Sequence, residues 1–265
     1  MKNFLNSVVG DRTCQSAMEK CATIGRMLTL TVIFVEDPEH PTPVTRSLAE
    51  PSSLKDLIES LGVPHCEVGS VHSLVSHGVL PLDSQTVPGD VLEVRGVKPR
   101  RLSSPSFLCD GHLGKLALLM RVMGFDTAWD NSWSEPGMAR RGANENRTVL
   151  TRSLSLLKRA SMDNAMLIRS DDPDEQAMEV VHRFLLADQV RMFGRCSKCN
   201  GLLREVAKAD VAARIPPKTA KWLDTYYLCR DCDQLFWEGT HVTALRRRVE
   251  KILARCANPD RPDPS

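Results

Sequence analysis

The 265-residue sequence has no long apolar run, no secretory signal and almost no net charge. No segment approaches the roughly 18 consecutive apolar residues that a membrane span needs, so a membrane protein is excluded. Residues 1–26 carry acidic and polar side chains throughout, which excludes a signal peptide and predicts a loosely attached leader. With 42% hydrophobic and 26% charged residues, the composition is typical of a soluble globular protein. We expect it in the cytoplasm.

The net charge of +2 conceals an uneven distribution along the chain. Up to residue 99 there are 8 Lys and Arg against 12 Asp and Glu, a net charge of −4, and the remainder has 27 against 21, a net charge of +6. At roughly 100–200 residues per domain, the length also favours two domains. The asymmetry therefore predicts an acidic domain followed by a basic one suited to nucleic acid.

The acidic part has the pattern of a β-grasp, or ubiquitin-like, domain. The alternating sequence of Leu28–Val35 predicts a strand, and the apolar spacing of residues 54–61, ended by Gly62, predicts a helix. Further short strands are expected at Val71–Val75, Gly78–Leu80 and Val91–Val94. The order strand, strand, helix, short strands is that of a β-grasp.

The basic part alternates strands with helices, which predicts an α/β domain with a mostly parallel sheet. Four strands are expected, at Phe107–Cys109, Phe125–Trp129, Thr148–Leu150 and Ala165–Ile168. Acidic residues follow three of them: Asp110, Asp130 and the pair Asp171 and Asp172. Since ligands of open α/β sheets bind outside the carboxyl ends of the strands, these acids lie where a site is expected.

These acids are candidate catalytic residues and ligands for Mg²⁺ or Mn²⁺, as in a nuclease. Hard divalent cations take oxygen ligands, and a phosphodiester needs its attacking and leaving oxygens neutralised together. Each acid has a structural alternative: Asp110 at a helix entry, Asp130 in a turn, and Asp172 as the N-cap of a helix that starts at Pro173. For Asp172 the cap is the favoured interpretation.

Candidate phosphate-binding residues lie on the same elements. They are Lys115, Arg121, Thr151, Arg152 and Ser153. Arg152, beside Thr151, follows a strand where contact with a phosphate is useful. For the basic side chains, the alternative is a solvated face.

Four cysteines form the most specific motif of the sequence. Cys196 and Cys199 make one C-x2-C pair, and Cys229 and Cys232 make a second, with 29 residues between the pairs. Four thiolates in two such pairs can close a tetrahedral structural Zn²⁺ site with no open position. A redox role is possible for a single pair, but two pairs favour a zinc ribbon.

Several stretches together resemble the Mut-seven C-terminal RNase family, a PIN-like nuclease domain with a C-terminal zinc ribbon. They are F-L-C-D-G-H-L-G-K-L-A at 107–117, M-G-F-D-T at 123–127, V-L-T-R at 149–152, D-P-D-E-Q at 172–176, R-C-S-K-C-N-G-L-L at 195–203, I-P-P at 215–217 and C-R-D-C-D-Q-L-F-W-E-G-T-H at 229–241. The sequence at 52–68 is similar to the ubiquitin-like, sulfur-carrier-related module often fused in front of that domain.

The resemblance implies metal-dependent RNA cleavage, with Asp110 as the first acid and the four cysteines as zinc ligands. One residue departs from the family's pattern, because members usually carry an acid directly after the T-R pair and this chain has Ser153. Serine is a poor Mg²⁺ ligand. Glu135 and Glu145 remain as candidates for a further acid. The N-terminal module runs from Gly96 into the linker without the Gly-Gly tail of a sulfur carrier, which leaves it a binding role.

The sequence therefore predicts a metal-dependent endoribonuclease, with RNA as substrate, a structural zinc ribbon that aids RNA binding, and a possible protein partner for the β-grasp domain. The expected domains are a leader at 1–26, the β-grasp at 27–97, a linker at 98–106, the PIN-like domain at 107–190, the zinc ribbon at 191–248, and a helix end and tail at 249–265. Ser153 favours the alternative of a weakened or inactive module that binds RNA or the ribosome. A third hypothesis is an adaptor that acts through the β-grasp domain.

Overall fold

The computed structural model describes residues 28–35, 42–159 and 162–257. The predicted leader at 1–26 and the end of the predicted tail lie outside these residues. The described chain divides into two compact units. The first contains the residues up to Leu57 together with Ser70–Gly96, and the second contains Ile58–Gly69 together with the residues from Val97 onward. No helix in the described ranges is long and apolar enough to cross a membrane.

A mixed five-stranded sheet forms the N-terminal part of the fold, with strand order β2-β1-β5-β3-β4. Its elements are β1 (Leu28–Val35), β2 (Val44–Leu48), α1 (Leu54–Ser60), β3 (Val68–Ser73), β4 (Gly78–Leu80) and β5 (Val91–Gly96). β1 pairs antiparallel with β2 and parallel with β5. Leu30, Val32 and Phe34 are its buried side chains, the period of two that a strand with one face on a core requires.

A four-stranded parallel sheet with order β7-β6-β8-β9 is the centre of the second unit. Its elements are β6 (Ser106–Cys109), α2 (Gly114–Val122), β7 (Asp126–Trp129), α3 (Glu135–Asn144), β8 (Thr148–Thr151), α4 (Leu154–Leu157), β9 (Ala165–Leu167) and α5 (Pro173–Arg183). Phe107 and Cys109 belong to a core with residues of α2 and α5, and Leu108 to a second core with residues of α3 and α4. Both faces of the sheet are covered, which explains its short, continuously apolar strands.

The strand order creates a crevice at the carboxyl edge of this sheet. From β6 the chain passes through α2 to the neighbouring strand β7, and from β7 it crosses to β8 on the other side of β6. Connections that leave in opposite directions open a gap outside the carboxyl ends of β6 and β8, where α/β folds bind their ligands. Asp110 follows β6 and Arg152 follows β8, so both lie at this gap.

A small antiparallel sheet and a long helix complete the second unit. The strands are β10 (Leu203–Val206), β11 (Tyr226–Cys229) and β12 (Leu235–Trp237), with α6 (Pro217–Ala220) between β10 and β11 and α7 (Thr240–Ala257) at the end. Val249 and Ile252 of α7 belong to the same core as Phe107. The predicted fold class is confirmed: a mixed N-terminal sheet, a parallel sheet with helices, and a small antiparallel sheet that carries four clustered cysteines.

Candidate functional site

Asp110 is the central residue of the crevice. It is 3% exposed, and its Oδ2 accepts hydrogen bonds from the Thr151 hydroxyl (2.5 Å) and the Arg152 backbone N–H (2.9 Å). Its Oδ1 accepts a hydrogen bond from the backbone N–H of His112 (2.9 Å). These donors fix the orientation of the carboxylate and use three of its roughly four acceptor positions. The position that remains is on Oδ1.

The turn after Asp110 is held by an aromatic ring. Trp129, the last residue of β7, donates its indole N–H to the carbonyl of Gly111 (3.3 Å). A Cβ atom on Gly114 would stand 2.8 Å from a carbon of the Trp129 ring, so this close approach of α2 to the ring requires glycine. The side chain of His112, between the two glycines, is 91% exposed, with Nδ1 at 3.7 Å from Asp110 Oδ1.

Ser153 connects Glu135 to the residues around Asp110. The Ser153 hydroxyl donates to Glu135 Oε1 (2.7 Å), and the Ser155 hydroxyl donates to the same oxygen (2.8 Å). The Ser153 N–H in turn donates to the Thr151 hydroxyl oxygen (2.9 Å), which is bonded to Asp110. The two serine hydroxyls lower the pKa of Glu135 and so favour its carboxylate form. The carboxylate of Glu135, the first residue of α3, is therefore a second acidic group at the carboxyl edge of the sheet.

The other predicted acids have local structural partners. Asp130 accepts hydrogen bonds from the hydroxyl and backbone N–H of Ser132 (2.6 and 2.8 Å), and these bonds lower its pKa. Asp171 is ion-paired with the guanidinium of Arg152. Asp172 caps α5, accepting from two backbone N–H groups of the first turn (2.8 and 3.1 Å). In the described ranges these acids and Asp110 do not form a group of three or more close enough to share one ion.

The two basic residues predicted on α2 lie in different surroundings. Lys115 is exposed on the first turn, close in sequence to Asp110. Arg121, in the last turn, is 7% exposed, and its guanidinium donates to the carbonyls of Thr127 (2.8 Å), Ser197 and Lys198 (both 3.2 Å). Burial lowers the pKa of Arg121. The structure thus gives Arg121 backbone partners at the end of α2 opposite Asp110.

The four predicted cysteines form one compact cluster. The sulfur of Cys196 lies 3.7 Å from that of Cys232, that of Cys199 lies 3.4 Å from that of Cys229, and all four are within 4.8 Å of one another. Four sulfurs at about 2.3 Å from a tetrahedral zinc are separated by about 3.8 Å, so the cluster fits a structural zinc. It is the one group of three or more His, Cys, Asp and Glu side chains within ligand distance in the described part of the chain.

Family models match both parts of the chain. A model described as the Mut7-C RNAse domain matches residues 105–249, and one described as Mut7-C ubiquitin matches residues 26–101. The chain belongs to the Mut7-C RNase domain family. The resemblance found in the sequence is thereby confirmed, and the match suggests RNase activity. No curated protein and no solved structure matches the chain significantly.

In this Mut7-C RNase domain, the first cysteine pair is bonded to the edge strand β7. Asn200, directly after Cys199, accepts a hydrogen bond from the Thr127 backbone N–H (2.9 Å) and donates one to Asp126 Oδ1 (2.7 Å). Arg147 also donates to Asp126 Oδ1 (2.6 Å). Together with the bond from Arg121, these contacts occupy backbone groups that an edge strand otherwise leaves open. The loop of the first cysteine pair therefore covers the open edge of the parallel sheet.

Sequence reasoning missed two residues of these arrangements, His112 and Asn200, and did not distinguish Glu135 from Glu145. His112 stands two residues after an acid at a strand end, and this spacing is the signal that could have identified it. Glu135 and Glu145 were equivalent in the sequence, but α3 runs from the carboxyl edge to the amino edge, where Glu145 pairs with Arg141 and Arg147. Asn200 carries no signal, because its partners on β7 are more than 70 residues away in sequence.

Proposed function

We propose that this protein hydrolyses RNA phosphodiesters at the crevice between β6 and β8, with Asp110 as the essential acid. The observation that carries the proposal is the buried Asp110 carboxylate, held by Thr151 and Arg152 at the point where the strand order reverses. Buried acids are commonly paired with a cation or bound to a metal ion, and the open acceptor position of Asp110 is available to such a ligand. The family match supports RNA as the substrate.

We propose Asp110 and Glu135 as ligands of a hard divalent cation that is held by few protein ligands. Mg²⁺ and Mn²⁺ in phosphate-transfer sites are commonly bound through one or two carboxylates, with water and substrate phosphate in the other positions. When bound, such an ion neutralises charge on the phosphate and lowers the pKa of a coordinated water. Because Ser153 supplies no carboxylate, we expect the ion to bind weakly and activity to require millimolar metal.

Arg152 and Lys115 supply the positive charge that would hold the scissile phosphate. The ion pair between Arg152 and the largely exposed Asp171 is worth little in water, so the guanidinium can exchange this carboxylate for a phosphate. Lys115 is exposed on the turn of α2 nearest Asp110.

We expect the small antiparallel sheet, stabilised by zinc at its cysteine cluster, to provide a surface that binds RNA. Lys198, Arg204 and Arg230 are exposed on or beside its strands and cysteine pairs. Exposed cations that neutralise phosphates give a binding constant that falls steeply with salt. We expect the affinity for a single-stranded RNA to fall by about tenfold or more as the salt concentration rises from 50 to 200 mM. In a variant that lacks these three charges, the affinity should depend less steeply on salt concentration.

The test is cleavage of end-labelled single-stranded and structured RNAs by the purified full chain with Mg²⁺, Mn²⁺ or EDTA. Asp110→Asn should reduce cleavage to the EDTA background. Asp188→Asn is the matched control, because it also removes one carboxylate, from an exposed pair with Arg101, and should keep full activity.

Ser153 supports a second candidate function, an RNA-binding module without catalysis. In that case RNA would be shifted in a gel by both the native protein and Asp110→Asn, in the presence of EDTA, and would remain intact with either metal. A protein partner for the ubiquitin-like domain is a separate prediction, tested by whether deletion of residues 1–97 abolishes capture of that partner.

A further inference from the structure

We propose that His112 supplies a nitrogen ligand beside Asp110, so that the catalytic site selects Mn²⁺ or a similar transition ion over Mg²⁺. This inference rests on the proposed function, since it concerns the ion of the same site. It assigns a ligand and a metal preference that the acid pattern of the sequence does not predict.

The position of His112 relative to the free side of Asp110 carries the argument. The backbone N–H of His112 occupies one acceptor position of Asp110 Oδ1, and the imidazole Nδ1 lies 3.7 Å from that same oxygen. An oxygen and a nitrogen that share one metal ion at about 2.0–2.2 Å are separated by about 3.0–3.5 Å. A small rotation of the exposed imidazole therefore brings both atoms into ligand distance of one ion.

The turn that carries His112 fixes this arrangement. Asp110 caps the 3-10 turn Gly111–Leu113, and Trp129 packs against Gly114 at its end. The imidazole is 91% exposed and points away from the packed core, so it can bind an ion without breaking a contact. The Asp110 carboxylate lies within ion-pair distance of the imidazole.

The imidazole nitrogen of His112 matters for metal binding because the site has few acidic ligands. No group of three acids shares one position in the described ranges, and the residue after Arg152 is a serine. Mg²⁺ takes oxygen ligands and keeps much of its water, so a histidine nitrogen adds little to its binding. Imidazole suits transition ions such as Zn²⁺ and Fe²⁺ rather than Mg²⁺, and Mn²⁺ is the transition ion that also suits carboxylate and water ligands. His112 thus compensates in part for the missing acid, but only for ions that accept nitrogen.

The experiment measures Mn²⁺ binding directly, on the full chain loaded with zinc. Mn²⁺ alone is titrated and followed by electron paramagnetic resonance, and pulsed measurements report any nitrogen bonded to the ion. The variants are His112→Ala and, as a matched control, His182→Ala, another exposed histidine that lies in the last turn of α5, away from the carboxyl edge. Cleavage of RNA with Mg²⁺ and with Mn²⁺ is assayed in the same preparations.

We expect a nitrogen signal from Mn²⁺ bound to the native protein and to His182→Ala, and no such signal from His112→Ala. The Mn²⁺ affinity of His112→Ala should be lower than that of the native protein by about tenfold or more, the scale of losses seen around metal ligands. Cleavage with Mg²⁺ should change little in His112→Ala. No nitrogen signal in the native protein, or equal Mn²⁺ affinity with and without His112, would overturn the inference while cleavage by the native protein still supports the proposed function. Failure of the native protein to cleave RNA with either metal would refute the proposed function itself, whatever Mn²⁺ binding shows.

Discussion

Replacement of Asn200 by glycine should open the edge of the nuclease sheet. The Asn200 side chain bridges β7, because its carbonyl accepts from the Thr127 N–H and its amide donates to the Asp126 carboxylate. The backbone of Asn200 has φ of +70°, a left-handed conformation that glycine adopts freely. Asn200→Gly therefore removes both side-chain bonds without adding backbone strain.

The expected loss of stability follows from the removal of these two hydrogen bonds. A hydrogen bond to a charged acceptor contributes about 1.5–3 kcal/mol, and a partly buried N–H left without a partner costs about 1–3 kcal/mol. We expect the unfolding free energy of β7 to fall by about 3–5 kcal/mol, which corresponds to at least about a hundredfold faster exchange of the Thr127 amide hydrogen. Asn200→Ala should lose about a further 1–2 kcal/mol, because a Cβ in the left-handed conformation is strained.

The assay is hydrogen exchange of the peptide that contains Thr127, combined with urea unfolding. Asn146→Gly is the matched control: Asn146 also has a left-handed backbone, with φ of +50°, and its side chain has no hydrogen-bond partner among the described residues. This control should leave exchange at Thr127 unchanged. If the Thr127 amide exchanged as slowly in Asn200→Gly as in the native protein, the side chain of Asn200 would not stabilise this edge of the sheet.

Three further predictions concern acid sensitivity, the cysteine cluster and the free thiols. Burial alone would raise the pKa of Asp126, but hydrogen bonds from Arg147 and Asn200 lower it. Its charge therefore stabilises the fold above the unfolded pKa of about 3.9, and this contribution is lost as the pH falls through the lower folded value. Urea midpoints below about pH 4 should then fall more steeply for the native protein than for Asp126→Asn, and parallel curves would contradict this. Gly201→Ala would place a Cβ atom 2.9 Å from the Cys229 sulfur, so zinc should be released to a chelator faster than from the native protein. Burial raises the pKa of Cys66 to about 12, so Cys66 should react with a thiol reagent only after unfolding in urea, and labelling of the native protein there would show that this region opens.

Local sequence patterns predicted most elements of the fold because each pattern follows from burial of a single strand or helix. The apolar run at 107–109 is continuous because both faces of β6 are covered, and the alternation in Leu28–Val35 reflects a sheet with one buried face. The cysteine cluster was equally predictable, since two C-x2-C pairs have little use other than to enclose one ion.

The sequence also determined that Asp110 ends a buried strand, which placed it at an edge of the sheet. It could not determine the neighbours of Asp110, because these depend on which strand lies beside β6. The order β7-β6-β8-β9 brings Thr151 and Arg152 to Asp110 across about 40 residues of chain. The direction of α3 then brings Glu135 to that edge and leaves Glu145 at the other.

The same distinction separates Arg121 from Arg152, both of which are phosphate-binding candidates in the sequence. Arg152 stays at the carboxyl edge, where its backbone binds Asp110. Arg121 lies on the last turn of α2, and the chain that follows the sheet folds back so that the carbonyls of Ser197 and Lys198, between the first two cysteines, accept hydrogen bonds from its guanidinium. The residues themselves determined which side chains can bind metal or phosphate. Only the tertiary structure decided which of them meet, because hydrogen bonds between distant segments depend on strand order and helix direction, which no local pattern encodes.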